Sequence, residues 1–526
     1  MITASKFLRN SLGNRRDFIK AAGALGLAAA TSNLIGSKAQ AAEPKRGGKF
    51  RQALKGGATS DSLWPGQLTD SHPWNVSTQI RSTLTEVSPT GELVGELAES
   101  FEPAAGGAQW LFKLRKGIEF HSGKSLTPED VIYSLNQHRG PDTKSQAVGV
   151  MSSVTDIKAD GKDGVRITLK GPNVDFPYVL AFFKLAVGPE GTTGADWDKG
   201  VGTGPYILTS WQAGVRATTK RNPNYFKPGK PYFDEVETLN VPDDAARFSA
   251  LQSGRADAIE SPDFRVIEAA SKLSSLKIIE VSGNTHYTFP MLTNLSPFDN
   301  VDLRKALKFG VNRDEMVKKI LRGHGYVGND HPIGRNQAFF AKDLAQTVYD
   351  PDKAKFHMKK AGLGDISLEL HAADAAFAGA VDAAQLYQIG AEKAGIKINI
   401  VREPNDGYWG QVWRHKPWSA CFWTGRTTAD WILSEVYASD ASANDTNWKN
   451  ERFDQLLAAA RSELDKNKRA VLYADLQEIL RDEGGTVIPM FANVICAVGS
   501  KIQTGPVVGS DFPMDGEKNH ERWWFG

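Results

Sequence analysis

Residues Phe120 to Leu135 read FHSGKSLTPEDVIYSL, and two incompatible folds compete for them. Gly123-Lys124-Ser125 is the ending of a phosphate-binding loop. Such a loop needs a glycine five residues ahead of its Gly-Lys-Ser, so that successive backbone N–H groups wrap a phosphate at a helix N-terminus. That position is Ile118, and the nearest glycine, Gly117, is one residue too far. The same residues also spell a strand-to-helix corner. Thr127 suits the N-cap, Pro128 the first helical position and Asp130 the third, where its charge faces the helix N-terminus. Val131, Ile132 and Leu135 then form one apolar face. Gly123 permits a turn from a strand expected to end at Phe120, and Lys124 is expected to be solvated. The corner reading replaces a nucleotide-hydrolysing enzyme with a mixed α/β chain.

The flanks extend that pattern. Upstream, Lys49–Leu54 opens as a strand, and Trp110, Phe112 and Leu114 alternate with polar residues as one face of another. Downstream, strands are predicted over 165–169, 204–211 and 217–222. The run from Asp243 to Gly254 begins acidic and ends in glycine, which suits a helix dipole and a left-handed cap. From about residue 300 helices alternate with strands, and 366–372, 382–395 and 396–401 read as a parallel βαβ unit. Two helical runs follow, ERFDQLLAAARSEL and KRAVLYADLQEILRDE, and then an apolar strand over 486–499.

At 526 residues the chain exceeds one core, since domains average about 150 residues. With 41% hydrophobic and 24% charged residues, and no apolar run of membrane length, it reads as an ordinary globular chain. Arg15-Arg16, the alanine-rich run from Ala21 to Ile35 and Ala39-Gln40-Ala41 spell a twin-arginine signal peptide with its cleavage site. Residues 1–41 carry six basic side chains and one acidic, so their removal turns the formal +2 into −3. A mature chain this near neutrality has no electrostatic case for nucleic acid or an anionic membrane as partner. Cys421 and Cys496 are the only cysteines, too few for a disulfide framework.

Catalytic and metal signatures are missing. There is no G-x-S-x-G, H-E-x-x-H or C-x-x-C, and no two histidines stand at the helical spacing that would present both to one ion. No catalytic residue, metal or cofactor is expected. An exported hydrolase with dispersed residues is the competing class.

Read in order, several stretches resemble one family. Gly91-Glu92-Leu93-Val94-Gly95-Glu96-Leu97-Ala98-Glu99-Ser100-Phe101 is followed by Phe112-Lys113-Leu114-Arg115-Lys116-Gly117-Ile118-Glu119-Phe120-His121-Ser122-Gly123. Then come Leu126 to Val131, Gly202-Thr203-Gly204-Pro205-Tyr206, Arg221 to Tyr225, Leu251 to Gly254, and Val301 to Leu307. Together these resemble the family-5 extracellular solute-binding proteins, the peptide-binding components of ABC importers. The resemblance implies an α/β, two-lobed periplasmic binding protein fold with a hinge between lobes and an extra subdomain in the first. Lobe I would comprise 42–289 and 490–526, and lobe II 290–489, after a signal peptide over 1–41. It also implies a monomeric periplasmic receptor that closes over a peptide or peptide-like solute and delivers it to an ABC permease with cytoplasmic ATPase subunits. Nickel, haem, opine or chelate binding are the alternatives within the family.

For the site, the resemblance directs attention to the aromatic segment from Tyr408 to Trp431. Tyr408, Trp409 and Trp423 are expected to pack on the solute, with Arg426 and Asp430 as charged anchors. In peptide binders an aspartate beside this tryptophan pairs with the α-amino group of the ligand. Arg426 stands there instead, so an acidic group on the solute is expected, since a guanidinium forks onto carboxylate. An Arg426–Asp430 bridge is the alternative.

Overall fold

A computed structural model describes residues 44–364 and 366–526. The signal peptide expected over 1–41 lies outside the described residues.

A seven-stranded sheet runs in the spatial order Leu276–Val281, Val494–Gly499, Ala258–Glu260, Lys49–Leu54, Glu235–Asn240, Arg216–Arg221, Tyr206–Gln212. Lys49–Leu54 pairs in parallel with both of its neighbours, and Val494–Gly499 lies antiparallel between two earlier strands. A late segment is therefore built into the sheet that the N-terminal strand began. A four-stranded antiparallel sheet, Ala98–Ala104, Gln109–Leu114, Gly164–Leu169 and Val154–Ala159, forms a separate layer. Trp110, Phe112 and Leu114 all point into its core, as their alternation predicts.

The other lobe rests on a second four-stranded sheet of Gly325–Val327, Thr486–Ala492, His286–Pro290 and Cys421–Trp423. Beside it stands the parallel pair Ser367–Ala372 and Lys397–Arg402, joined by the helix Ala380–Glu392. This is the βαβ unit predicted from periodicity. Helices Glu451–Ser462 and Lys466–Glu483 close the layer. The chain crosses between the two lobes twice, after Val281 and at Asn493.

Three expectations need correction. The apolar run 486–499 is two strands in two different sheets, broken at Asn493, because one continuous strand cannot lie in both. The strand before the quoted helix ends at Leu114 and not at Phe120, since Gly117 turns the chain at φ +74°. Lys124 is exposed, its side chain 44% accessible, but it is not a free solvated charge. Its ammonium pairs with the buried carboxylate of Asp130, which also accepts from the N–H groups of Thr127 at 2.9 Å and Glu190 at 2.7 Å. The helix Pro128–Asn136 has the predicted cap. Cys421 and Cys496 are free, buried and in different sheets.

The Gly202-Thr203-Gly204 stretch is a packing device. A Cβ on Gly204 would come within 2.5 Å of the Ile80 carbonyl carbon, and one on Gly202 within 2.0 Å of its oxygen. Only glycine lets this loop sit against the end of the helix Ser71–Ile80.

Candidate solute-binding cleft

A cavity of about 680 Å³ lies between the lobes, a size suited to small-molecule ligands. From the side of the seven-stranded sheet it is walled by the end of helix Ser71–Ile80, by Phe182 and Phe183, and by the returning segment Val507–Phe512. Asn336–Phe339, Thr427–Ala429, and Lys466 and Arg469 face them from the other lobe.

The apolar part is an aromatic cluster. Phe183 meets Phe512 edge-on at 5.1 Å and Phe182 at 4.8 Å, while Trp431 abuts Phe182 at 5.4 Å from the opposite lobe. Rings in these arrangements form a rigid wall at little entropic cost.

One end of the cavity is charged but internally balanced. Arg522 pairs with Glu86 at 2.7 Å and Asp515 at 3.0 Å, and Lys518 with Glu96 at 2.6 Å. Burial opposes ionisation of Glu86, yet Lys227, Lys518 and Arg522 together hold its carboxyl well below the usual range. Glu86, Glu96 and Glu521 lie close enough to share one metal ion. The Lys227 ammonium fills that role: it bonds Glu86, Glu96 at 3.3 Å and Glu521 at 3.0 Å. With Lys518, Arg522 and Lys230 also in the network, a divalent cation would meet repulsion that the carboxylates already relieve with lysine.

Several contacts tie the lobes together across the cleft, among them Asn336 Nδ2 donating to Ser510 Oγ at 2.7 Å. Asp175 accepts from Arg469 Nη2 at 2.5 Å, and the Val174 N–H donates to the Arg461 carbonyl at 3.0 Å. Asp511 behaves differently. It lines the cavity, has only the neutral Asn284, at 3.4 Å, and Thr427 as side-chain partners, and burial pushes its carboxyl up to about 6.

The five residues singled out from sequence lie in the same lobe but do not line this cavity. Tyr408 is a core residue, 1% exposed, and its hydroxyl donates to the Ala420 carbonyl at 2.8 Å. Trp409 is 41% exposed and packs edge-on to Trp413 and Phe422. Trp423 turns its Nε1–H to Asp445 at 3.1 Å. Arg426 forks onto Glu435, at 2.7 and 3.1 Å, and its third nitrogen donates to Thr424. Its fork is thus filled from within the chain. Asp430 bonds Arg461 at 3.0 Å, so the alternative Arg426–Asp430 bridge is not formed. Their neighbours Thr427, Thr428 and Ala429 do reach the cavity. Sequence reasoning missed Phe182, Asp511 and Phe512, which belong to no motif; only the return of the last segment to lobe I hinted that it could reach the cleft.

Two lobes with two chain crossings and a cavity between them define a solute-binding protein. Residues 92–448 match bacterial extracellular solute-binding proteins, family 5 (middle), and the chain belongs to that family. It is 25% identical over 441 residues to the glutathione-binding protein GsiB of Pectobacterium atrosepticum, covering 80% of this chain and 85% of that one. To the dipeptide-binding protein of Escherichia coli K12 it is 24% identical over 453 residues, covering 79% and 84%. Among solved structures, the periplasmic binding protein DppA of Helicobacter pylori in complex with peptide STSA superposes with a TM-score of 0.74 at 21% identity, covering 92% and 99%. AgaA of A. tumefaciens R10, in complex with agropinic acid, gives 0.76 at 22%, covering 91% and 99%. These structural likenesses establish the two-lobed fold.

Proposed function

We propose that this protein captures a peptide or peptide-like small solute in the interlobe cavity and delivers it to an ABC permease served by cytoplasmic ATPase subunits. The observation that carries the reading is the 680 Å³ cavity, walled by aromatic rings, neutral polar groups and largely paired charges drawn from both lobes. A wall split between two bodies gains its full set of solute contacts only when both bodies meet, which couples binding to closure. The lobe bounds expected at 289/290 and 489/490 move to the two crossings: lobe I takes the chain up to Val281 and again from Val494, lobe II runs from His286 to Ala492, and rotation occurs at the crossings. Export by the twin-arginine route to the periplasm follows from Arg15-Arg16 and the Ala39-Gln40-Ala41 cleavage site. The reading is of a receptor and not an enzyme: Glu86, Glu96 and Asp175 on the cavity wall are each paired with a cation of the chain.

Calorimetric titration of the exported protein with dipeptides, tripeptides and glutathione tests this, with mass spectrometry of the same mixtures. Saturable 1:1 binding without product is expected. Cleaved peptide would replace the receptor by a hydrolase, and the absence of heat from every member would sink the peptide reading.

A further inference from the structure

Nine charged side chains line the cavity, and most are matched. Glu86 and Glu96 are bound by Arg522 and Lys518, and Asp175 by Arg469. Arg81 is buried and donates to the carbonyls of Leu63 at 2.8 Å and Trp197 at 2.6 Å. Asp511 is the acid left over: among the described residues it forms no salt bridge, and its side-chain partners are the neutral Asn284, at 3.4 Å, and Thr427. The nearby cation on the aromatic wall, Lys184, lies over the Phe182 ring at 5.9 Å and donates instead to Gln146. A part-buried carboxylate with neutral hydrogen-bond partners and no salt bridge, only the more distant charge of Arg522 acting on it, is costly to keep ionised. Burial raises its pKa toward the neutral range, as the value of about 6 reflects. At neutral pH that cost is relieved when a ligand brings the missing positive charge.

We infer that Asp511 receives a cationic group of the solute, a protonated amine or guanidinium, while the solute's apolar body lies along Phe182, Phe183 and Phe512. The geometry supports both halves. Asp511 and Phe512 are consecutive, so the carboxylate stands at the margin of the ring cluster. Aromatic rings beside a carboxylate also attract a cation through their π-density, which favours ammonium over carboxylate there. The charge preference is opposite to the one expected from Arg426, whose fork is occupied by Glu435. This inference rests on the solute-receptor reading above.

The test measures dissociation constants and melting shifts for four probes: Ala-Phe, its N-acetyl derivative, agmatine and glutathione. Unaltered protein and Asp511→Asn are compared. Asparagine keeps the shape and removes the charge that burial disfavours, so the unliganded variant is expected to melt no lower than the parent. The structure assigns to Asp511 a preference of about 10- to 100-fold for Ala-Phe over N-acetyl-Ala-Phe, the scale of a hydrogen bond to a charged group, and Asp511→Asn is expected to erase it. The acetylated probe on unaltered protein asks the same question without any substitution. Binding of agmatine alone, lost in Asp511→Asn, would uphold the cation site and overturn the peptide reading. Equal affinity for Ala-Phe and its acetyl form, or a preference that survives Asp511→Asn, would uphold a peptide receptor and overturn the role of Asp511. No shift with any amine-bearing probe would overturn the inference as well.

Discussion

Asp445 is a carboxylate held under two indoles: its Oδ2 accepts from Trp423 Nε1 at 3.1 Å and Trp413 Nε1 at 3.4 Å, and among the described residues it forms no salt bridge, Arg414 acting on it only from a distance. Burial pushes its carboxyl up to about 6 from an ordinary 3.8. A folded-state pKa above the unfolded one means that the anion is penalised in the native state. The penalty is fully present above pH 6, shrinks as pH falls from 6 toward 4, and is gone below the unfolded value. At about 1.4 kcal/mol per unit it amounts to roughly 3 kcal/mol. Asparagine keeps an acceptor for the indoles without the charge. Urea unfolding of Asp445→Asn is therefore expected to show a gain of about 1–3 kcal/mol at pH 7.5 that disappears near pH 4; a loss at pH 7.5 would refute the assignment. The same geometry explains why Trp423 was misread from sequence. An aromatic run with nearby charges describes a ligand wall and an indole–carboxylate core equally well, and only the partner, 22 residues away in the chain, separates the two.

The helix Pro128–Asn136 shows how far local chemistry reaches at the scale of one element. Its cap, its proline and its apolar face were legible because each depends on residues within four positions. The role of Lys124 was not, because the turn at Gly123 folds the lysine back onto Asp130, six residues ahead. Asp130 is fully buried and serves the N–H groups of Thr127 and Glu190 as well as that ammonium. Asp130→Ala would leave a lysine and two amides without their acceptor, and a loss of about 3–5 kcal/mol is expected by urea or thermal unfolding. Ser125→Ala is the contrast. Ser125 is exposed, so a change within about 0.5 kcal/mol is expected there. A small loss at Asp130, or an equal one at Ser125, would remove Asp130 as the corner's anchor.

Across the whole molecule, the alternation of strands and helices and the ordered motifs made the two-lobed fold readable, while the cleft was not. Its walls come from segments near residues 80, 180, 340, 430 and 510, and no periodicity encodes which of them meet. The crossings were expected near 290 and 489, yet the strands through both points belong wholly to the second lobe's sheet. The chain changes sheets earlier and later, between Val281 and His286 and at Asn493. Hydrophobic patterning marks a strand but cannot say which sheet it joins. The contact that matters most for motion is equally remote in sequence. Asp175 and Arg469 are 294 residues apart and bond at 2.5 Å across the cleft, both nearly buried. In a receptor that opens by rotating its lobes, this pair exists only in the closed form, so it biases the open–closed equilibrium without touching the solute. Burial and the nearby Asp430 both work against ionised Asp175, and Arg469 is the chief group opposing them. Truncating one member of such a pair removes about 2–5 kcal/mol from the state that holds it. Arg469→Ala is therefore expected to enlarge the radius of gyration in small-angle scattering and to weaken solute affinity by at least about tenfold, since a less populated closed state lowers apparent affinity in proportion. The double change Asp175→Asn with Arg469→Gln, which leaves no lone charge behind, should recover part of both. Unaltered scattering and affinity in Arg469→Ala would show that closure does not depend on this pair.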